Sequence, residues 1–287
     1  SKTPYRDAIE ETRAIPDKKE AGNNGIYIII GLSGLCALGA EVVWTRLLSL
    51  MLGATVYTFS IILAIFLIGL GIGSSAGAFW ARSVRKARAA LGACQILIAA
   101  ATAWAAFMIT RIIPFWPISP TKITEKMGPW FMFLIDLLRA SCAILPAAFL
   151  WGASFPLALA AVASRDRDSG RMVGGVYAAN TVGAIVGSLA FSMLIIPQVG
   201  TQWGHRFLVM IAAISALLAF GPSLISRKVS RKKGKKGHEA MALPGGRLAA
   251  ALFSLAIVVM LVISIKPVPW VAVAFGRYSK SWSRISA

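Results

Sequence analysis

Long apolar blocks with almost no charge dominate the chain and limit what it can become. Ile26 to about Leu48 is the first, reaching as far as Leu52 if its helix continues, and Val56 to about Trp80 is the next. About 20 apolar residues cross a hydrocarbon core of about 30 Å as a helix. A soluble all-helical protein needs polar faces at helical spacing, and these blocks mostly lack them. Composition agrees: 57% of the 287 residues are hydrophobic and only 14% charged, where a soluble domain carries about 25% charged residues. Mean hydropathy is +0.72. The expected fold class is all-α, a polytopic transmembrane bundle of about seven helices.

Further blocks run from Ala89 to about Ile112, Trp130 to about Val162, Val173 to about Ile196, Phe207 to about Ile225 and Leu248 to about Ile265. The fourth contains Pro146 and Pro156 and is longer than a crossing needs, so it tilts, kinks at a proline, projects beyond the membrane or divides into two short segments. Residues 1–25 read as a polar cytoplasmic tail, 26–265 as the membrane domain and 266–287 as an outer-side tail. Pro267 and Pro269 stop the last helix, and Trp270 suits the membrane interface.

Charge supports that order. The formal net charge is +19, from 30 Lys and Arg against 11 Asp and Glu. Arg82, Arg85, Lys86 and Arg88 follow the second block, Arg165, Arg167 and Arg171 the fourth, and Arg227 to Arg247 the sixth. The intervening loops, 49–55, 113–129 and 197–206, hold few basic residues. Lys and Arg collect in cytoplasmic loops, so the N-terminus is expected inside and the C-terminal tail outside, with the lipid bilayer as the first partner. The same distribution argues against nucleic acid as a partner, since the densest basic run lies between two apolar blocks.

Polar residues inside apolar blocks are the candidate functional groups, because burial in lipid is expensive unless they pair or line a wet cavity. Glu41 is one, with Arg46 the nearest opposite charge in sequence. Asp136 and Arg139 stand three residues apart and so share a helix face; a self-contained ion pair is the plain reading. Asn180 is the fifth member, able to fasten two helices by hydrogen bonding. Glu41 is expected to meet Arg139 or Arg46, with Asp136 in the same network. Gly69, Gly73 and Gly77 repeat at every fourth position, as do Gly183 and Gly187, which suits close packing of helix backbones.

No catalytic constellation appears: no His stands near a Ser or Cys, and no paired soluble carboxylates occur. Gly69-Leu70-Gly71-Ile72-Gly73 is dinucleotide-loop-like only superficially, because it lies within a membrane block. Cys36, Cys94 and Cys142 fall in apolar blocks and suit packing, while His205 and His238 are expected in loops. No metal centre and no cofactor in this chain are expected.

Glu41-Val42-Val43-Trp44-Thr45-Arg46-Leu47-Leu48, continued through Gly53, Tyr57 and Phe59 to Gly69-Leu70-Gly71-Ile72-Gly73, resembles the N-terminal membrane region of membrane-bound spermidine-synthase-like proteins. Gly152-Ala153-Ser154-Phe155-Pro156-Leu157 matches as well. So do Gly170-Arg171, Tyr177-Ala178-Ala179-Asn180-Thr181-Val182-Gly183-Ala184 with Gly187, and Gly276-Arg277-Tyr278. The resemblance spans about residues 26 to 287 and implies a partly major-facilitator-like membrane part leading to an aminopropyltransferase-like domain. The Gly-rich nucleoside loop and amine-holding carboxylates of such a domain are not in this sequence. The resemblance therefore implies a membrane module in polyamine chemistry, expected in a bacterial inner membrane. It would anchor or organise a synthase-like soluble domain supplied in cis or as a partner. A structural subunit of a membrane complex and a small-solute transporter are the alternatives. The Gly-rich second block followed by Arg82, Arg85, Lys86 and Arg88 resembles the helix–loop signal of major-facilitator carriers.

Overall fold

A computed structural model describes residues 18–116, 128–163, 169–225, 256 and 258–269. Arg165, Arg167, the 227–247 loop, His238, Trp270, Gly276-Arg277-Tyr278 and much of the expected seventh span lie outside the described residues. Among the described residues there are helices and no strands.

α1 runs Lys18–Leu52 and ends at Gly53, whose φ of 102° suits a residue without a Cβ. α2, Val56–Ser83, begins at Thr55, whose hydroxyl accepts the Thr58 backbone N–H at 3.4 Å. α3 spans Ala87–Phe107, widens in a π turn, Met108–Ile112, and ends in a tighter 3-10 turn, Ile113–Phe115. α4 is one continuous helix, Gly128–Val162, despite Pro146 and Pro156, so the division into two segments does not occur. Pro146 has no N–H for the carbonyl of Cys142 one turn earlier. Trp104 Nε1 donates to that oxygen at 2.9 Å instead, which is how neighbouring helices make proline tolerable in membrane helices.

α5, Ser169–Ala190, passes through a π turn, Phe191–Ile195, into α6, Ile196–Ile225. The expected 197–206 loop is therefore largely helical. The break is confined to Gly200, at φ 81° and ψ 172°. Five stretches are long and apolar enough to cross a membrane: Asn24–Leu52, Val56–Ser83, Ala87–Phe115, Trp130–Val162 and Gly170–Phe220. The fifth has 51 residues, about 75 Å if straight, more than twice a hydrocarbon core of about 30 Å. It turns back at Gly200.

Close approaches give the helix directions. Gly73 of α2 meets Phe149 of α4, and Gly77 meets Ala153, so the two helices run parallel. Gly183 of α5 meets Gly31 of α1, and Gly187 meets Leu35, again parallel. α4 runs against α1, with Trp44 beside Trp151 and Ser33 beside Ser154. α6 also runs against α1, through Trp44 with His205 and Cys36 with Leu208. The principal pairings are α2 with α4, α1 with α5 and α3 with α6, followed by α3 with α4 and α1 with α6.

This network maps onto itself when α1–α3 are exchanged with α4–α6. The correspondence reaches single residues. Leu70, Gly73 and Gly77 of α2 meet Gly152, Phe149 and Ala153 of α4. Asn180, Gly183 and Gly187 of α5 meet Gly34, Gly31 and Leu35 of α1 in the same pattern. Because the two triplets begin in opposite directions, they are related as an inverted repeat.

The start of α1, the α2–α3 turn and the end of α6 share one end of the bundle. Arg88 lies beside Gly25 and donates from Nε to the Ala219 carbonyl at 3.0 Å and from its terminal nitrogen to the Leu218 carbonyl at 3.1 Å. In the core Trp44 and Trp151 meet at 5.6 Å between ring centroids, with Phe66 against Trp151 at 6.1 Å.

Candidate functional site

Glu41 and Arg46 lie on α1 and line one groove, but they form no ion pair. Among the described residues no basic nitrogen stands within 4.0 Å of the Glu41 carboxylate, so the expected bridge to Arg46 or Arg139 is not made. Five residues along a helix is about 7.5 Å of rise and off the same-face spacing. Glu41 is half-buried and Arg46 exposed. The groove has a volume of about 460 Å³ and is open on one side. Thr45 and Ser49 of α1, Phe59 of α2 and Ser192 of the π turn face it, beside the apolar Leu38, Val42 and Ile196. The π turn carries its own significance, since such turns recur at functional sites. It places Phe191 where Gly39 leaves room, the ring coming to 2.7 Å from a Cβ built on that glycine.

Asp136 and Arg139 form a separate site. Both are buried on α4, with Arg139 Nη1 at 4.0 Å from Asp136 Oδ1. Arg139 also donates to the Trp116 carbonyl at 3.0 Å, its guanidinium 5.7 Å from the Trp116 ring centroid. The structure thus brings Asp136 to Arg139 and ties Arg139 to the end of the α3 segment, with no ion pair to Glu41. Asn180 is half-buried on α5 where Gly34 of α1 presses against it, its side-chain oxygen 2.8 Å from a Cβ built on that glycine. Gly69 meets Ala148 of α4, the same α2–α4 seam that holds Gly73 and Gly77. Arg171, at the start of α5, is exposed.

Sequence reasoning missed an interior polar seam. His205 is not in a loop; it is 1% exposed on α6, accepting from Trp44 Nε1 at 3.1 Å and engaging the Thr201 carbonyl through Nδ1 at 3.2 Å. That arrangement fixes a neutral imidazole protonated at Nδ1. The Ser33 and Ser154 hydroxyls meet at 3.3 Å between α1 and α4. Gln95, fully buried on α3, has neither amide atom hydrogen-bonded among the described residues. A lone amide inside the 89–112 block was a readable signal, by the argument applied to Glu41. Cys36 and Cys94 are buried free thiols donating to the Leu208 and Leu150 carbonyls. Among the described residues no three His, Cys, Asp or Glu side chains gather as metal ligands would.

Fold and site define a helical bundle with five stretches long and apolar enough to cross a membrane, a mainly apolar groove that holds the half-buried Glu41, and a buried ion pair. No family model and no solved structure matches the chain. A protein of Streptomyces coelicolor named Polyamine aminopropyltransferase 2 is 26% identical over 231 residues, covering 78% of this chain and 38% of its own length. The relationship to a spermidine-synthase-like protein is distant, and the chain spans well under half the length of the relative it matches.

Proposed function

We propose that the chain is the membrane module of a spermidine-synthase-like protein, anchoring or organising an aminopropyltransferase-like domain or partner polypeptide. One observation carries this reading. An alignment covering 78% of the chain must include most of α1–α6, so the likeness rests on the apolar helices. The test is affinity purification in mild detergent from the source cells. An aminopropyltransferase-like sequence, fused to the bundle or present in equal amount with it, is expected. A bundle that purifies without either, from membranes that hold such an enzyme elsewhere, overturns the proposal.

A second reading has its own support. Inverted three-helix repeats are the building plan of each half of a major-facilitator carrier, and the exchange of α1–α3 with α4–α6 follows that plan. In this reading the unit is one carrier-like half, whose role in transport is tested by flux of labelled polyamine into proteoliposomes.

The proposed setting is a bacterial inner membrane with residues 1–25 inside and 266–287 outside. Arg82, Arg85, Lys86 and Arg88 at the α2–α3 turn support it, since this end of the bundle would face the cytoplasm. A Lys235→Cys variant, with Cys36, Cys94 and Cys142 replaced, is expected to resist an impermeant thiol reagent in intact cells and to label after permeabilisation. Ready labelling of intact cells reverses the orientation.

A further inference from the structure

The helix packing leaves Glu41 without a counter-charge among the described residues, and it leaves a space beside it. The carboxylate sits about 16 Å from the Leu52 end of α1 by helical rise, too deep for bulk water to solvate it freely. The groove it lines, about 460 Å³, falls within the roughly 300–1,000 Å³ of small-molecule sites. Most of its surface is apolar, with Leu38, Val42 and Ile196 among the lining residues. Thr45, Ser49 and Ser192 supply hydroxyl oxygens. Ser192 spends its proton on the Leu189 carbonyl at 3.3 Å, so its oxygen is left to accept. Phe59 contributes an aromatic ring that is 47% exposed.

We infer that this groove binds an alkylammonium ligand, its amine on Glu41 and its chain along Leu38, Val42 and Ile196. Charge complementarity selects the class. A carboxylate out of water is stabilised by a cation that also donates hydrogen bonds. The hydroxyls accept the remaining N–H groups, and an aromatic face attracts an ammonium. An alkyl body distinguishes this ligand from a metal cation, which would have no use for the apolar surface. Arg46, exposed at the same groove, does not replace the ligand, because its spacing from Glu41 prevents a bridge. It is placed to meet an anionic group carried by the same molecule. The inference deepens the proposed function by naming a ligand class for the membrane part. Such an ammonium has two sources: a free polyamine or the headgroup of an aminophospholipid.

The test uses the full chain in phosphatidylcholine nanodiscs, titrated calorimetrically with spermidine and with putrescine. Glu41→Gln keeps the side-chain shape, and its folding is checked by monodispersity and melting temperature. If the source is a free amine, the wild type binds, and Glu41→Gln raises Kd at least about tenfold, the scale of losing one charge-assisted contact. Arg46→Gln leaves amine binding equal or tighter. If the source is a lipid, phosphatidylethanolamine added to the nanodiscs is retained by the wild type in native mass spectrometry and not by Glu41→Gln. The inference is overturned if the wild type and Glu41→Gln behave alike toward both probes, non-binding by both included. Loss of the groove with an aminopropyltransferase-like partner still present refutes this site alone. Amine binding without any such partner refutes the membrane-module reading alone.

Discussion

Gly73→Leu is expected to abolish the stable bundle, while Gly71→Leu, two residues away, leaves it intact. A Cβ on Gly73 would run into the backbone carbonyl of Phe149 on α4, whereas a Cβ on Gly71 has nothing within 4 Å. Overpacking typically costs about 1–3 kcal/mol where side chains can yield. At Gly73 the obstacle is main chain, so the whole α2–α4 seam must open and the loss exceeds that range. Detergent-solubilised Gly73→Leu should lose its monodisperse peak or melt at least about 10 °C lower, a shift that corresponds to several kcal/mol in a chain of this size. Equal melting temperatures for the two leucine variants would refute the packing assigned to this face.

Arg139→Ala is expected to destabilise the protein by about 3–5 kcal/mol, the penalty for stranding one member of a buried pair. Asp136 and Arg139 are 0% and 1% exposed, so water cannot readily take the place of the guanidinium. The truncation also removes the hydrogen bond to the Trp116 carbonyl, loosening the end of the α3 segment. The double variant Asp136→Asn, Arg139→Gln removes both charges and should recover a large part of the loss. Unfolding in detergent with a chemical denaturant separates the cases. A single variant no less stable than the double would mean that the pair carries no such weight.

The membrane-spanning character was legible because lipid imposes a length and an apolarity that few other environments demand. The boundaries were less so. Residues 197–206 read as a loop between two apolar blocks, yet the side chains of Gln202, His205 and Arg206 are served within the fold. Gln202 and Arg206 donate to the Ile265 carbonyl at 3.1 and 3.3 Å, and His205 is held by Trp44. Polarity there reports tertiary partners, which periodicity does not reveal.

The same limit governs the candidate site. Asp136 and Arg139 are local in sequence, so their shared face followed from helical spacing. The neighbours of Glu41 come from α1, α2 and the π turn after α5, and depth along a helix says nothing about which faces meet. The fourfold glycine spacing placed Gly69, Gly73 and Gly77 on one face, but only the assembled bundle identifies α4 as the surface it meets.

The glycine seams also decide how this molecule can move. Where main chain lies against main chain, sliding or rotation meets an immediate steric wall. α2 with α4 therefore behaves as one stiff plate, and α1 with α5 as another. Between the plates the contacts are of a different sort: the Ser33 and Ser154 hydroxyls and the tilted rings of Trp44 and Trp151. Hydroxyls reorient and aromatic edges roll with little resistance. A hinge along the α1–α4 line, with the helix pairs carried whole, is the motion these seams leave open to the Glu41 groove.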